Sequence, residues 1–158
     1  MKLYHGTNQS FEAIDILKSK PNKDFGRGFY LSDDYEQALN MAKIKTEQMQ
    51  EGEPVVMEYE VDESEVQKLR VLRFEEYSEA WAKFILANRS NITGSPVHEY
   101  DVVVGPIADD RVGVQLWKYE NQLIDLPTLV RKLKYMKGMT IQYFFGTEKA
   151  ISLLKRVK

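Results

Sequence analysis

Three polar residues stand out by the chemistry their types allow: His5 just after a short apolar opening, Tyr30 behind a Gly-Arg-Gly step, and Gln142 inside an apolar run near the C-terminus. An imidazole can hold a sugar hydroxyl. A phenol ring offers a flat face with a polar edge. A carboxamide can hold a hydroxyl too, but it brings no net charge and cannot act as a general base. The densest stretch is Asp24-Phe25-Gly26-Arg27-Gly28-Phe29-Tyr30-Leu31-Ser32, where two glycines flank an arginine and two aromatics follow. Glycine at alternate positions lets backbone approach another surface closely or adopt φ > 0. The stretch therefore reads as the floor of a pocket for a flat, polar ligand.

Read one at a time, the same residues have blander roles. His5 would be a structural histidine after a strand, Tyr30 a core aromatic, and Gln142 an outward-facing polar residue on a half-buried strand. Gly26-Arg27-Gly28 is not a dinucleotide fingerprint, since it lacks the G-x-G-x-x-G spacing after a buried strand. It is not a phosphate-binding Walker loop either, since no Gly-Lys-Ser/Thr follows.

Composition narrows the field. The chain has 158 residues, 43% apolar and 29% charged, with a formal net charge of −2. That suits one soluble domain spanning 1–158 and gives no general pull toward duplex nucleic acid. The absence of cysteine excludes a disulfide scaffold, a thiolate zinc site and a cysteine nucleophile. Two histidines make a histidine-rich metal site implausible, so no metal is expected. The first residues carry no apolar targeting core and no run approaches a membrane span. The expectation is a cytoplasmic protein without membrane contact.

The elements that must position these residues follow from pattern. Residues 2–4 read as an opening strand that ends at Gly6, and 28–31 as a second strand. Asp33 with Glu36 forms a capping pattern before a helix over 34–50, with Tyr35, Ala38, Leu39, Ala42 and Met49 inward. Residues 54–61 alternate as a strand, and 69–74 form another. A helix follows over 75–88 with Tyr77, Trp81, Phe84 and Ile85 on one stripe. Residues 90–96 read as a polar loop, 100–105 as a buried strand, and 109–121 as helical in part. Pro127 opens a helix reaching Lys137, 139–145 is a strand, and Thr147 caps a last helix. Clustered strands without a regular βαβ rhythm predict an α+β fold with a mainly antiparallel or split sheet.

Tyr4-His5-Gly6-Thr7 on a first strand, Gly26 to Ser32 on a second and Gln142-Tyr143-Phe144-Phe145 near the end resemble, in that order, the ADP-ribosyltransferase fold, in the branch marked by His, Tyr, then Glu or a substitute. The wording Tyr-His-Gly-Thr, Phe-Gly-x-Gly-Phe-Tyr-Leu and Gly-Pro-Ile-Ala-Asp-Asp resembles an uncharacterised, mostly bacterial family assigned to that fold, over nearly the whole chain. The resemblance implies a split antiparallel sheet with flanking helices that clasps NAD+ as substrate. By it, His5 meets the adenosine-side ribose, the Gly6 backbone holds the nicotinamide carboxamide, and Tyr30 stacks on the nicotinamide ring. Gln142 falls where the catalytic glutamate would stand. Thr7, Phe25, Gly26, Arg27, Gly28, Phe29 and Ser32 are carried as cleft residues. The implied activity is NAD+-dependent mono-ADP-ribosyl transfer, or NAD+ hydrolysis in the same cleft; the alternative is a catalytically silent module binding NAD+ or ADP-ribose.

Residues outside the three motifs have expected parts as well. Asp109, Asp110 or Glu148 would compensate for the missing carboxylate at 142, and Arg27 or Arg89 would meet the pyrophosphate. His98 is expected in solvent. Acceptor choice is expected in loops 90–99 and 107–113, with protein, nucleic acid, small molecule and water all open.

Overall fold

The computed structural model of the chain describes residues 1–136 and 138–157, with the side chain of Asp110 also left aside. The expected helix end at Lys137 and any role for the Asp110 carboxylate lie outside the described residues. Among the described residues seven strands form one sheet: β1 (Lys2–Thr7), β2 (Phe29–Ser32), β3 (Val55–Glu60), β4 (Val71–Arg73), β5 (Val102–Pro106), β6 (Ile141–Phe145) and β7 (Lys155–Arg156). Their order is β4-β5-β6-β2-β1-β3-β7, with every neighbouring pair antiparallel except β4 and β5. Six α-helices accompany it among the described residues: α1 (Tyr35–Met49), α2 (Glu63–Val66), α3 (Glu79–Arg89), α4 (Asp110–Glu120), α5 (Leu126–Lys134) and α6 (Glu148–Ile151). The fold is α+β with a mostly antiparallel sheet. Among the described residues, no helix is long and apolar enough to cross a membrane.

Alternation along the strands sorts the core into two halves. On one face Leu3, Phe29, Leu31, Met57, Val102, Val104 and Phe145 pack together. On the other, Phe25, Val103 and Phe144 pack against Trp81, Ile85, Leu116, Leu129 and Leu133 from α3, α4 and α5. Helix starts are set by side-chain caps that satisfy free N–H groups. Asp34 accepts from Glu36 and Gln37, Ser78 from Trp81, Asp109 from Val112, Asp125 from Thr128 and Thr147 from Ala150.

Several expectations shift. Asp34 rather than Asp33 caps α1, because Asp34 is the residue directly preceding the first helical turn. Helix α3 starts at Glu79 behind Ser78, four residues later than pattern alone places it. The short elements α2 and β7 carry no apolar period that would announce them. The first strand does not stop at Gly6: β1 continues to Thr7, paired with β3 from Lys2↔Glu60 through Thr7↔Val55. Glycine sits there because α1 lies directly on β1, and a Cβ on Gly6 would collide with the Ala38 carbonyl and the Ala42 nitrogen. The same close approach explains why only Ala38 and Ala42 of α1 are buried, while Tyr35 and Met49 stay exposed.

Candidate functional site

The strand pair β1–β2 is registered at Tyr4↔Ser32. Beyond that point a side chain takes over the link: His5 Nδ1 lies 2.7 Å from the Tyr30 carbonyl oxygen. A carbonyl only accepts, so Nδ1 carries the hydrogen. The ring stacks on Phe29 at 4.2 Å and meets Phe11 edge-on. Burial pushes the His5 pKa down to about 4, with Lys45 and Lys23 acting in the same direction against the Tyr30 hydrogen bond. At neutral pH the ring is uncharged, Nδ1–H is donated inward, and Nε2 keeps a lone pair without a partner among the described residues. That nitrogen can accept from a ligand hydroxyl and is a weak base.

Tyr30 is tied down at its polar end. Its hydroxyl donates to the Gly26 carbonyl at 2.6 Å and accepts the Phe25 N–H at 3.0 Å. Burial raises its pKa. The phenol thus staples the glycine segment to β2 and keeps only its ring for a ligand. Gly26 takes φ of 98°, a conformation side chains resist, and Gly28 lies against the Phe144 ring. Phe25 is fully buried in the second core half, and Phe29 is nearly so. Arg27 donates from Nε to the Ser19 carbonyl at 2.9 Å. Ser32 is buried, and its Oγ accepts from Asp34 N–H.

One cavity of about 290 Å³ collects the first two motifs, its lining including His5, Thr7, Gly28, Phe29 and Tyr30. Phe11, Lys18, Lys23 and Lys45 complete much of its wall. Lys23 Nζ stands 5.2 Å over the Tyr30 ring centroid. The sequence reading missed these lysines, although the run Lys18, Lys20, Lys23 was there to be read; Lys45 arrives from α1 and has no local signal.

Gln142 stands apart from that lining. It is registered opposite Ser32 and Gly105, on the pleat face that carries Phe144, one step along from Tyr30↔Phe144. Tyr30 and Gln142 are therefore diagonal neighbours on one face, about 7–8 Å apart by strand geometry. Far from facing outward, the Gln142 amide has its Nε2 buried and without a partner.

Other candidates are engaged elsewhere. Asp109 caps α4 and pairs with Arg111 at 3.1 Å, and Glu148 is exposed at the start of α6. Arg89 pairs with Asp24 at 2.7 Å, which fixes the glycine segment to α3. His98 is not in solvent: Nε2 donates to the Phe25 carbonyl at 2.7 Å and Nδ1 accepts from Tyr100 N–H at 3.1 Å, between the rings of Phe84, Tyr100 and Phe144. A second, larger groove of about 890 Å³ runs along the other side of the glycine segment, lined by Gly26, Arg27 and much of the 90–99 loop. Among the described residues, no group of three His, Asp or Glu side chains is placed to hold a metal ion.

A mostly antiparallel α+β domain with a lysine-rimmed cavity where β1 and β2 part is thus the class that the fold and site define. The family model described as "Protein of unknown function (DUF3990)" matches residues 1–156, and the chain belongs to that family. No curated protein and no solved structure matches the chain.

Proposed function

We propose that the chain is an NAD+-dependent mono-ADP-ribosyltransferase, or an NAD+ glycohydrolase working in the same cleft. The observation that carries the reading is the meeting of the Tyr-His-Gly-Thr and Gly-x-Gly-Phe-Tyr segments in one cavity, joined by His5 Nδ1–H and the Tyr30 carbonyl. The resemblance to the ADP-ribosyltransferase fold supplies the ligand. His5 Nε2 accepts a ribose hydroxyl and the Tyr30 ring faces the pyridinium, partly as a cation–π contact; the carboxamide role falls by the same resemblance to the backbone of Gly6, which lies under α1 and outside the cavity lining. In the reaction the nicotinamide–ribose C–N bond breaks with its electron pair going to nicotinamide. The oxocarbenium carbon is then captured by the acceptor or by water, which gives up a proton.

Gln142 lies beyond Tyr30 on the same face, outside the cavity lining and with Nε2 enclosed, so its N–H groups would reach a ribose 2′-hydroxyl only after the side chain turns. Without a carboxylate there, the transition state lacks one electrostatic stabiliser, a loss of about 3 kcal/mol or roughly a hundredfold in rate. That same orphaned amide favours a second reading, a binding module for NAD+ or ADP-ribose without turnover. Nicotinamide release and calorimetry on one preparation separate them. Wild type should release nicotinamide from NAD+, and Tyr30→Leu, checked for folding by circular dichroism, should lose at least about tenfold. Heat of binding without release selects the silent module; neither heat nor release sinks both.

A further inference from the structure

The cavity at His5 and Tyr30 carries a charge imbalance that no ion pair among the described residues relieves. Lys18, Lys23 and Lys45 line it, and among the described residues none of the three is in an ion pair. Among the described residues the lining holds one carboxylate, Asp15, whose Oδ1 accepts the Leu17 N–H and caps the short 3₁₀ turn Ile16–Lys18. Asp24, next to Lys23 in sequence, is committed to Arg89 at 2.7 Å. Burial lowers the Lys23 pKa, Lys45 and Lys20 push it further the same way, and Asp24 acts against them. Like charges gathered around one cavity repel one another, and an anion entering between them relieves that repulsion.

Lys23 also stands where a flat ligand would go, 5.2 Å over the Tyr30 ring. The ammonium is held there by the ring quadrupole and by longer-range attraction to Asp24, with no ion pair of its own among the described residues. A phosphate group makes charge-assisted hydrogen bonds to an ammonium that are considerably stronger than that contact.

We infer that Lys18, Lys23 and Lys45 form a phosphate-binding cradle, and that Lys23 is a gate over Tyr30. A diphosphate entering the cavity draws the Lys23 ammonium off the ring and so frees the face for stacking. The cradle needs only a phosphate-bearing ligand; the gate rests on the NAD+ reading above. At about 290 Å³ the cavity is at the small end for a ligand site. It accommodates a diphosphate with part of a nucleotide, leaving the remainder of a dinucleotide to lie outside. The order of events follows: phosphate binding precedes ring stacking, so a ligand with the nicotinamide ring but no phosphate meets a closed face.

Calorimetric titration of the full chain with four probes tests this: inorganic pyrophosphate, ADP-ribose, NAD+ and nicotinamide riboside. Lys45 is exposed on α1 and Lys23 is exposed on its loop, so Lys45→Ala and Lys23→Ala leave the cores untouched. Pyrophosphate and ADP-ribose should bind wild type, and each alanine variant should weaken both on the order of tenfold. Lys45→Arg should retain most of the affinity. Nicotinamide riboside should bind Lys23→Ala better than wild type, because the ring face is uncovered. Pyrophosphate binding that is absent, or unchanged in both alanine variants, overturns the cradle. Equal binding of nicotinamide riboside to wild type and Lys23→Ala overturns the gate. NAD+ that is turned over with the lysines irrelevant overturns the cradle and leaves the transferase reading standing. Pyrophosphate that binds through the lysines while NAD+ does not bind leaves the cradle and removes the NAD+ reading and the gate.

Discussion

His5 and His98 make the same first contact and differ in the second. Each places one ring nitrogen 2.7 Å from a backbone carbonyl of the glycine segment and its strand, Tyr30 for His5 and Phe25 for His98. Both rings are driven toward the neutral form by burial. His98 then closes its other nitrogen with Tyr100 N–H, whereas His5 leaves Nε2 open toward a cavity rimmed by lysines. One histidine has both ring nitrogens engaged by the fold; the other has one engaged and one open among the described residues. Two imidazoles brace the same segment at Phe25 and Tyr30, and the one with an open nitrogen is the one the proposed function uses.

Acid offers the largest way to sharpen that contrast. The unfolded chain protonates His5 near pH 6.5, while the folded chain holds out to about 4. Between those values the unfolded state binds more protons, so stability falls as pH falls through that window. The full difference corresponds to about 3 kcal/mol for His5, and His98 acts in the same direction. Urea midpoints of wild type and His5→Asn at pH 7 and pH 4 isolate the His5 share, since asparagine keeps a donor for the Tyr30 carbonyl and does not titrate. The wild type should lose more stability than the variant; parallel losses would mean that the His5 ring is solvated in the folded state.

The second test separates the two histidines directly. His98→Ala orphans the Phe25 carbonyl, frees Tyr100 N–H and removes a ring packed among Phe84, Tyr100 and Phe144. The expected cost is about 2–3 kcal/mol in the urea midpoint at pH 7, with ligand binding changed less than in His5→Asn. A His98→Ala variant as stable as wild type would break the comparison.

What pattern revealed and what it hid have a physical division. The alternation of Val55, Met57 and Tyr59 announces β3, and Trp81 with Ile85 announces the buried stripe of α3, because both signals are local periods. Gly6 misleads for a non-local reason: its missing side chain makes room for the backbone of α1, which strand propensity cannot foresee. His98 reads as a loop residue until Phe25, 73 positions away, is brought to its ring. The cavity is half legible. Lys18 and Lys23 lie in one basic run, but Lys45 joins them only through the docking of α1 on β1. Gln142 was placed by order along the chain, and its position beside Ser32 rather than in the cavity lining depends on the β2–β6 register.

Gln142 fits neither histidine's pattern, and it gives the smallest effect. It is half-buried, with Nε2 enclosed and unpartnered. A carboxylate in its place would lose hydration without gaining a donor, which raises its pKa. Because the residue retains some exposure and can turn toward water, the expected cost of Gln142→Glu is only about 1–2 kcal/mol at pH 7. The penalty should shrink at pH 5, where protonation restores a neutral group; a variant equally destabilised at both values would point to lost packing rather than to charge. Nicotinamide release measured on the same protein then fixes the residue's part. A rise toward the hundredfold worth of one electrostatic stabiliser assigns the ribose 2′-hydroxyl to position 142, across the diagonal from Tyr30. Unchanged release takes Gln142 out of the site and leaves the chemistry to whatever His5 Nε2, the Tyr30 ring and the lysines hold.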